Sequence, residues 1–307
     1  MNALTNRRGG GAAPAIPPVG RYYNVDGRQL FLHRSGSGGP TVVFLPGASA
    51  VGLDYLSIHD KVAQWTTSVL YDRGGTGWSE RVELPRTATE VATELRNLLR
   101  AAEVPAPYVL VAHSLGGAYA RRFAQLFPDE VAGLVALEAF YEEWDTYMPK
   151  SLHLDKTPDA VPGRFQTALI GLLARPFYKK MFAQWPSEIR DPLVAGHVDP
   201  EWMRIGARER STIVALADEL RSGGTVPDVP IIALSALGVD SGQRLVMSEK
   251  AQRELTDSKR GLYTALADSV SHGEYRALED AKHSTIQLDN PDEVVQAIRD
   301  VFDRAQP

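Results

Sequence analysis

The chain contains no cysteine. That excludes a disulfide framework, a thiolate metal site and a cysteine nucleophile. It fits a reducing compartment, so a cytoplasmic location is expected; secretion stays open, because secreted enzymes can also lack cysteine. No apolar run approaches the roughly 18 residues that a membrane span needs. Positive charge is not in excess either. Lys and Arg number 33 against 38 Asp and Glu, a net charge of −5 with a pI near 5.8. No general pull toward nucleic acid or a membrane is expected, although local basic patches stay open. With 44% hydrophobic and 23% charged residues in 307, the chain has enough apolar material for a large core, which excludes a disordered or low-complexity protein.

What is present is a strand and helix rhythm. Residues 1–18 carry Arg7-Arg8 and a Gly- and Pro-rich run too interrupted for a signal-peptide core, and read as a flexible leader. Asp26-Gly27 separates two short alternating segments and signals a hairpin. TVVFL (41–45), TSVLY (67–71), YVLVA (108–112), the run 131–137 and PIIALS (230–235) read as buried strands. Helical patterns fall between them over 53–64, from Thr87 with a Thr87/Glu90 capping box, and after Gly116 up to Pro128. Residues 244–270 also look helical, 274–278 read as a last strand and 292–304 as a closing helix. This alternation predicts an α/β fold, a mostly parallel sheet with helices on both faces. The core is expected over 19–140 and 228–307. Residues 141–227 lose the rhythm, with helix-like pieces separated by Pro149, Pro158, Pro162, Pro176, Pro186, Pro192 and Pro200, and are expected to form a helical cap.

The chemistry concentrates at Ala112-His113-Ser114-Leu115-Gly116, between a strand and a helix. A serine at so sharp a turn is lifted above the strand ends, and small residues two before and two after it let strand and helix pass closely. Ala112 stands where the full pattern has glycine. A serine hydroxyl needs a base to take its proton. Of seven histidines, only His283 follows the last strand and completes the order serine, acid, histidine; His113, next to Ser114 on the elbow, is expected to point elsewhere. Two carboxylates can serve as the acid that orients the imidazole. Asp240, in the loop after PIIALS, is the first choice, and Glu138, at the end of the strand before the insert, is the alternative. The oxyanion hole is expected from the backbone N–H groups of Leu115, at a helix N-terminus, and Ala48, after Leu45-Pro46-Gly47. Trp144, Trp185 and Trp202 lie in the insert and either line an apolar pocket or pack its core.

LPGA (45–48), YDRGGTGWS (71–79), AHSLGG (112–117) and DAKHS around His283 together resemble the α/β-hydrolase superfamily over about 20–140 and 228–305. The resemblance implies an eight-stranded sheet and a cap, and it leaves the substrate open because this fold hosts many chemistries. The expected activity is hydrolysis of a small-molecule carboxylic ester or lactone through an acyl-enzyme, without a cofactor. A serine-dependent C–C bond hydrolase, an amidase, a cofactor-free haloperoxidase and a slow-turnover ligand sensor are the alternatives. GGTGWS lacks the Lys-Ser/Thr of a phosphate loop, and no metal-ligand spacing such as HExxH occurs. Arg121-Arg122 reads as a solvated helix face.

Overall fold

Asp26 and Gly27 both take left-handed backbone angles, φ 51° and 84°, which suit the tight turn between paired strands. They join β1 (Arg21–Val25) to β2 (Arg28–Ser35) in an antiparallel hairpin. The computed structural model describes residues 16–157, 160–240 and 247–306. Most of the expected 1–18 leader therefore lies outside the described residues, as do the first positions of the expected 244–270 helix.

From β2 onward the chain is wound as the alternation predicts. β3 (Thr41–Leu45), β4 (Ser68–Tyr71), β5 (Tyr108–His113), β6 (Val131–Leu137), β7 (Ile231–Ala236) and β8 (Gly273–Leu278) complete an eight-stranded sheet of order β1-β2-β4-β3-β5-β6-β7-β8. β2 pairs antiparallel with β4, and every pairing among β3 to β8 is parallel. The fold is that of the α/β hydrolases.

The helices cover both faces of the sheet, which is why TVVFL and YVLVAH are buried at every position. One face carries α2 (Ala88–Ala101), α3 (Gly116–Leu126) and α9 (Glu249–Ala267). The other carries α1 (Leu56–Val62) and α11 (Pro291–Arg304). Thr87 and Glu90 form the expected reciprocal cap on α2: the Glu90 N–H donates to Thr87 Oγ1 at 3.1 Å, and the Thr87 N–H to Glu90 Oε2 at 2.8 Å. α10 (Ile286–Asp289) is one short turn after β8.

Between β6 and β7 lie α4 (Trp144–Tyr147), α5 (Arg164–Met181), α6 (Ser187–His197), α7 (Pro200–Arg210) and α8 (Ile213–Ser222). Two expectations need correction here. Pro176 and Pro192 sit inside α5 and α6 rather than between helices; each removes one backbone donor, and the flanking turns carry the helix through. Arg121 is not solvated. It is buried, ion-paired with Glu142 and stacked over Tyr141 at 4.9 Å, whereas Arg122 reaches Thr89 Oγ1 at 2.8 Å.

Candidate active site

The turn after β5 positions the serine. Ser114 takes φ 50°, a region that non-glycine residues seldom occupy. The helix it enters can approach only because Gly116 has no side chain: a Cβ there would lie 2.1 Å from the Leu45 carbonyl oxygen. Gly47 is fitted in the same way, since a Cβ on it would meet Ser114 Cβ at 3.0 Å. Ala112 needs no such exemption. It lies within β5, paired between Leu45 and Ala136, and one methyl is accommodated there.

His283 follows β8 and brings Nε2 to 3.0 Å from Ser114 Oγ. Its Nδ1 lies 3.1 Å from Glu138 Oε1. That approach is off the ring N–H axis, so the contact is electrostatic more than a well-aligned hydrogen bond. Glu138 directly follows β6 at φ 41°. Its second oxygen accepts the Ala236 N–H at 2.8 Å, and Lys259 Nζ of α9 donates to Oε1 at 2.7 Å. Glu138, the alternative acid of the sequence reading, is thus the carboxylate that stands beside the imidazole, and Asp240, the first choice, lines the same cavity. Glu138 is fixed from three sides by β7, α9 and His283. Burial would raise the Glu138 carboxyl, but the charges of His283 and Lys259 outweigh it and hold the group at about 2.

His113, beside Ser114 on the elbow, turns both ring nitrogens to partners other than the serine. Its Nε2 donates to the His283 backbone carbonyl at 2.9 Å, which fixes the tautomer and leaves Nδ1 to accept from Tyr55 Oη at 2.7 Å. Burial, aided by the charge of His283, pushes His113 down to about 3, so it stays neutral. The Gly47 amide in turn bonds the Tyr55 hydroxyl. A continuous path thus joins the loop of His283 to the loop of Ala48.

That second loop is also held from below. Arg73 is buried, with Nη1 on the Pro46 carbonyl at 2.8 Å and Nη2 on the Gly47 carbonyl at 2.7 Å. The same guanidinium pairs with Glu209 of α7 at 2.5 and 2.9 Å, and Glu209 accepts the Ser49 N–H at 3.3 Å. A further tie from insert to core runs from His197 Nε2 to Asp54 Oδ1 at 2.7 Å. These contacts join distant parts of the chain, and nothing in local spacing signals them.

Ser114, Leu115, Ala48, Glu138 and His283 all line one open cavity of about 1260 Å³ between the sheet and the insert. Trp144 lines it too, with Nε1 donating to the Leu152 carbonyl at 2.8 Å. Trp185 and Trp202 do not belong to the lining. Trp185 is buried against Phe182 within the insert at 4.5 Å, and Trp202 packs edge-on to Trp78 of the core at 5.3 Å, so the one packs the insert and the other its joint with the core. Among the described residues no group of three or more His, Asp or Glu stands close enough to hold a metal ion, and no helix is long and apolar enough to cross a membrane.

Residues 42–297 match the sequence profile of the alpha/beta hydrolase family. The chain belongs to that family. Among its relatives, YqjL of Bacillus subtilis (strain 168) is 30% identical over 138 residues, 44% of this chain and 54% of that protein. YbdG of the same organism is 29% identical over 128 residues, 41% of this chain and 39% of that protein. The matches thus span about half of these relatives or less. A thermophilic esterase from Thermogutta terrifontis superposes with a TM-score of 0.63 at 17% identity, covering 93% of this α/β hydrolase and 98% of the esterase. An esterase from Exiguobacterium antarcticum gives 0.63 at 16%, covering 93% and 100%. The epoxide hydrolase CorEH gives 0.65 at 18%, covering 93% and 99%. At such identities the likeness shows the shared fold.

Proposed function

We propose that this α/β hydrolase is a serine hydrolase that cleaves a carboxylic ester or lactone through an acyl-enzyme, with Ser114, His283 and Glu138 as nucleophile, base and acid. The observation that carries the reading is the unbroken line Ser114 Oγ, His283 Nε2, His283 Nδ1, Glu138 Oε1, with gaps of 3.0 and 3.1 Å. Epoxide hydrolases and dehalogenases of this fold, as a family resemblance, use an aspartate at the elbow, and the serine here favours acyl transfer.

In the first half-reaction His283 Nε2 takes the Ser114 hydroxyl proton as Oγ bonds to the substrate carbonyl carbon. The charge that gathers on the carbonyl oxygen falls to the Ala48 and Leu115 amides, the latter at the start of α3. His283 then gives its proton to the departing alkoxide oxygen, and the ester C–O bond breaks. In the second half a water molecule passes a proton to His283 as its oxygen bonds to the acyl carbon; His283 then returns that proton to Ser114 Oγ as the acyl C–O bond to the serine breaks and the acid leaves. Glu138 carries the balancing negative charge whenever the imidazole is cationic. Its depressed carboxyl, at about 2, keeps it ionised throughout the working pH range.

The helices of 141–227 serve as a cap that sets substrate choice. They roof the carboxyl ends of the strands, where open α/β sheets bind ligands, and Trp144 faces the cleft from there. No cofactor enters the scheme. The test is steady-state hydrolysis of a graded panel of p-nitrophenyl esters and lactones by the native chain and by Ser114→Ala. Turnover lost by a factor on the order of 10⁶ in the variant supports the reading. A variant retaining more than a few per cent of the native rate overturns it. Covalent labelling of the native protein without turnover favours a ligand sensor.

A further inference from the structure

Helix α5 is turned inside out by the usual rule for a surface helix. Its inward side is small or polar: Thr167 and Gly171 are its buried residues. Gly171 lies so close to Val198 that a Cβ would sit 2.3 Å from the Val198 carbonyl oxygen. One turn pair further on, Tyr178 stacks on His197 at 4.7 Å. These contacts fix which face points in. The opposite face presents Phe165, Leu169, Leu172, Leu173 and Phe177, spaced i, i+4, i+7, i+8 and i+12, hence along one stripe. Phe165 is 89% exposed, Leu173 74% and Leu172 68%. Scattered exposed leucines need no explanation, but a contiguous stripe of this length marks an interaction surface.

The charges on the helix choose the partner. α5 carries Arg164, Arg175, Lys179 and Lys180 and no Asp or Glu, in a chain whose net charge is −5. Two copies meeting through this face would bring like charges together with no carboxylate on the helix to pair them. An anionic lipid surface answers both features at once, taking up the apolar stripe and attracting the basic flank. Phe177 and Met181, toward the C-terminal end of the helix, line the catalytic cavity, so the stripe runs to its rim.

We propose that α5 is an interfacial docking helix that seats the protein on an anionic lipid bilayer with the mouth of the cavity facing the surface. It lies on the bilayer and does not span it. Docking is a property of the helix and holds whether or not Ser114 is the nucleophile.

The experiment is co-sedimentation of the full chain with vesicles of equal parts phosphatidylglycerol and phosphatidylcholine, with pure phosphatidylcholine as the control. The variants are Leu169→Glu/Leu173→Glu, which breaks the stripe, and Arg175→Glu/Lys179→Glu, which reverses the flank. None of these four residues lines the cavity, and thermal melting checks the fold of each variant. The native chain is expected to bind the mixed vesicles, more weakly in high salt and on pure phosphatidylcholine, and each variant to lose about tenfold or more in apparent affinity. Failure of the native chain to bind, or binding unchanged in both variants, overturns the proposal. So does a native dimer in sedimentation velocity that the Leu169→Glu/Leu173→Glu variant turns into monomer, because the face would then belong to a second copy.

Discussion

Lys259 Nζ lies 2.7 Å from Glu138 Oε1, the same oxygen that stands 3.1 Å from Nδ1 of His283. The carboxylate proposed as the acid therefore faces both the Lys259 ammonium and the imidazole proposed as the base. Lys259 itself is buried and also donates to the Ala236 carbonyl at 3.0 Å. A fixed positive charge at that place opposes protonation of the imidazole.

Removing Lys259 should accordingly raise the pH at which the base becomes active. In Lys259→Met the acid limb of the kcat/KM profile is expected to move up by about one pH unit, a usual size for loss of one neighbouring charge. The midpoint does not depend on how much protein is folded, so modest destabilisation leaves the comparison intact. A midpoint that stays in place or moves down would show that Lys259 has no part in tuning His283.

The two carboxylates can be separated by amide replacement. Glu138→Gln keeps the shape of the side chain, removes its charge and should lower kcat on the order of 10⁴-fold. Asp240→Asn should cost about tenfold at most, the scale of one supporting hydrogen bond. A reversed ranking would return the acid to the loop after β7.

Stability should fall with acid earlier than carboxylates alone would cause. Burial pushes both His113 and His59 down from 6.5 to about 3. Between those values the unfolded chain binds protons that the folded chain refuses, so stability drops as pH falls below 6.5, by about 1.4 kcal/mol per pH unit for each group. The Glu138 carboxyl, held at about 2, adds its own loss only as pH falls from about 4.5 toward 2. Tm measured from pH 7.5 to 5 should therefore decline, and His59→Gln should flatten the slope. A Tm constant over that range would contradict the buried neutral histidines.

The three tryptophans of the insert should divide by place. Trp144→Ala is expected to change relative kcat/KM across an ester panel with little change in Tm, because the indole lines the cleft. Trp185→Ala should instead destabilise by about 3–5 kcal/mol, the usual cost of a large buried truncation, while relative specificity holds. Denaturant unfolding and the same ester panel decide both.

The sheet was legible because each buried strand is a short β-branched or aromatic run bounded by turn residues. The elbow was legible because serine, glycine and the flanking strand are adjacent in sequence. What escaped is long-range. Pairing of Glu138 with Lys259 joins residues 121 apart, and Arg73 meets Glu209 across 136 residues. Neither pair has a local spacing to betray it. The position of Asp240 fits the required chain order as well as that of Glu138 does, so sequence order alone does not separate them. In the insert, Pro176 and Pro192 suggested breaks, yet one missing donor per helix was tolerated.

Activation of Ser114 as a nucleophile by His283 is tested most directly by reaction with a fluorophosphonate followed by peptide mass spectrometry. In the native chain a single stoichiometric adduct on the peptide containing Ser114 is expected, forming much more slowly in His283→Ala and not at all in Ser114→Ala. An adduct on another residue, or equal labelling rates in the native and His283→Ala proteins, would contradict the account.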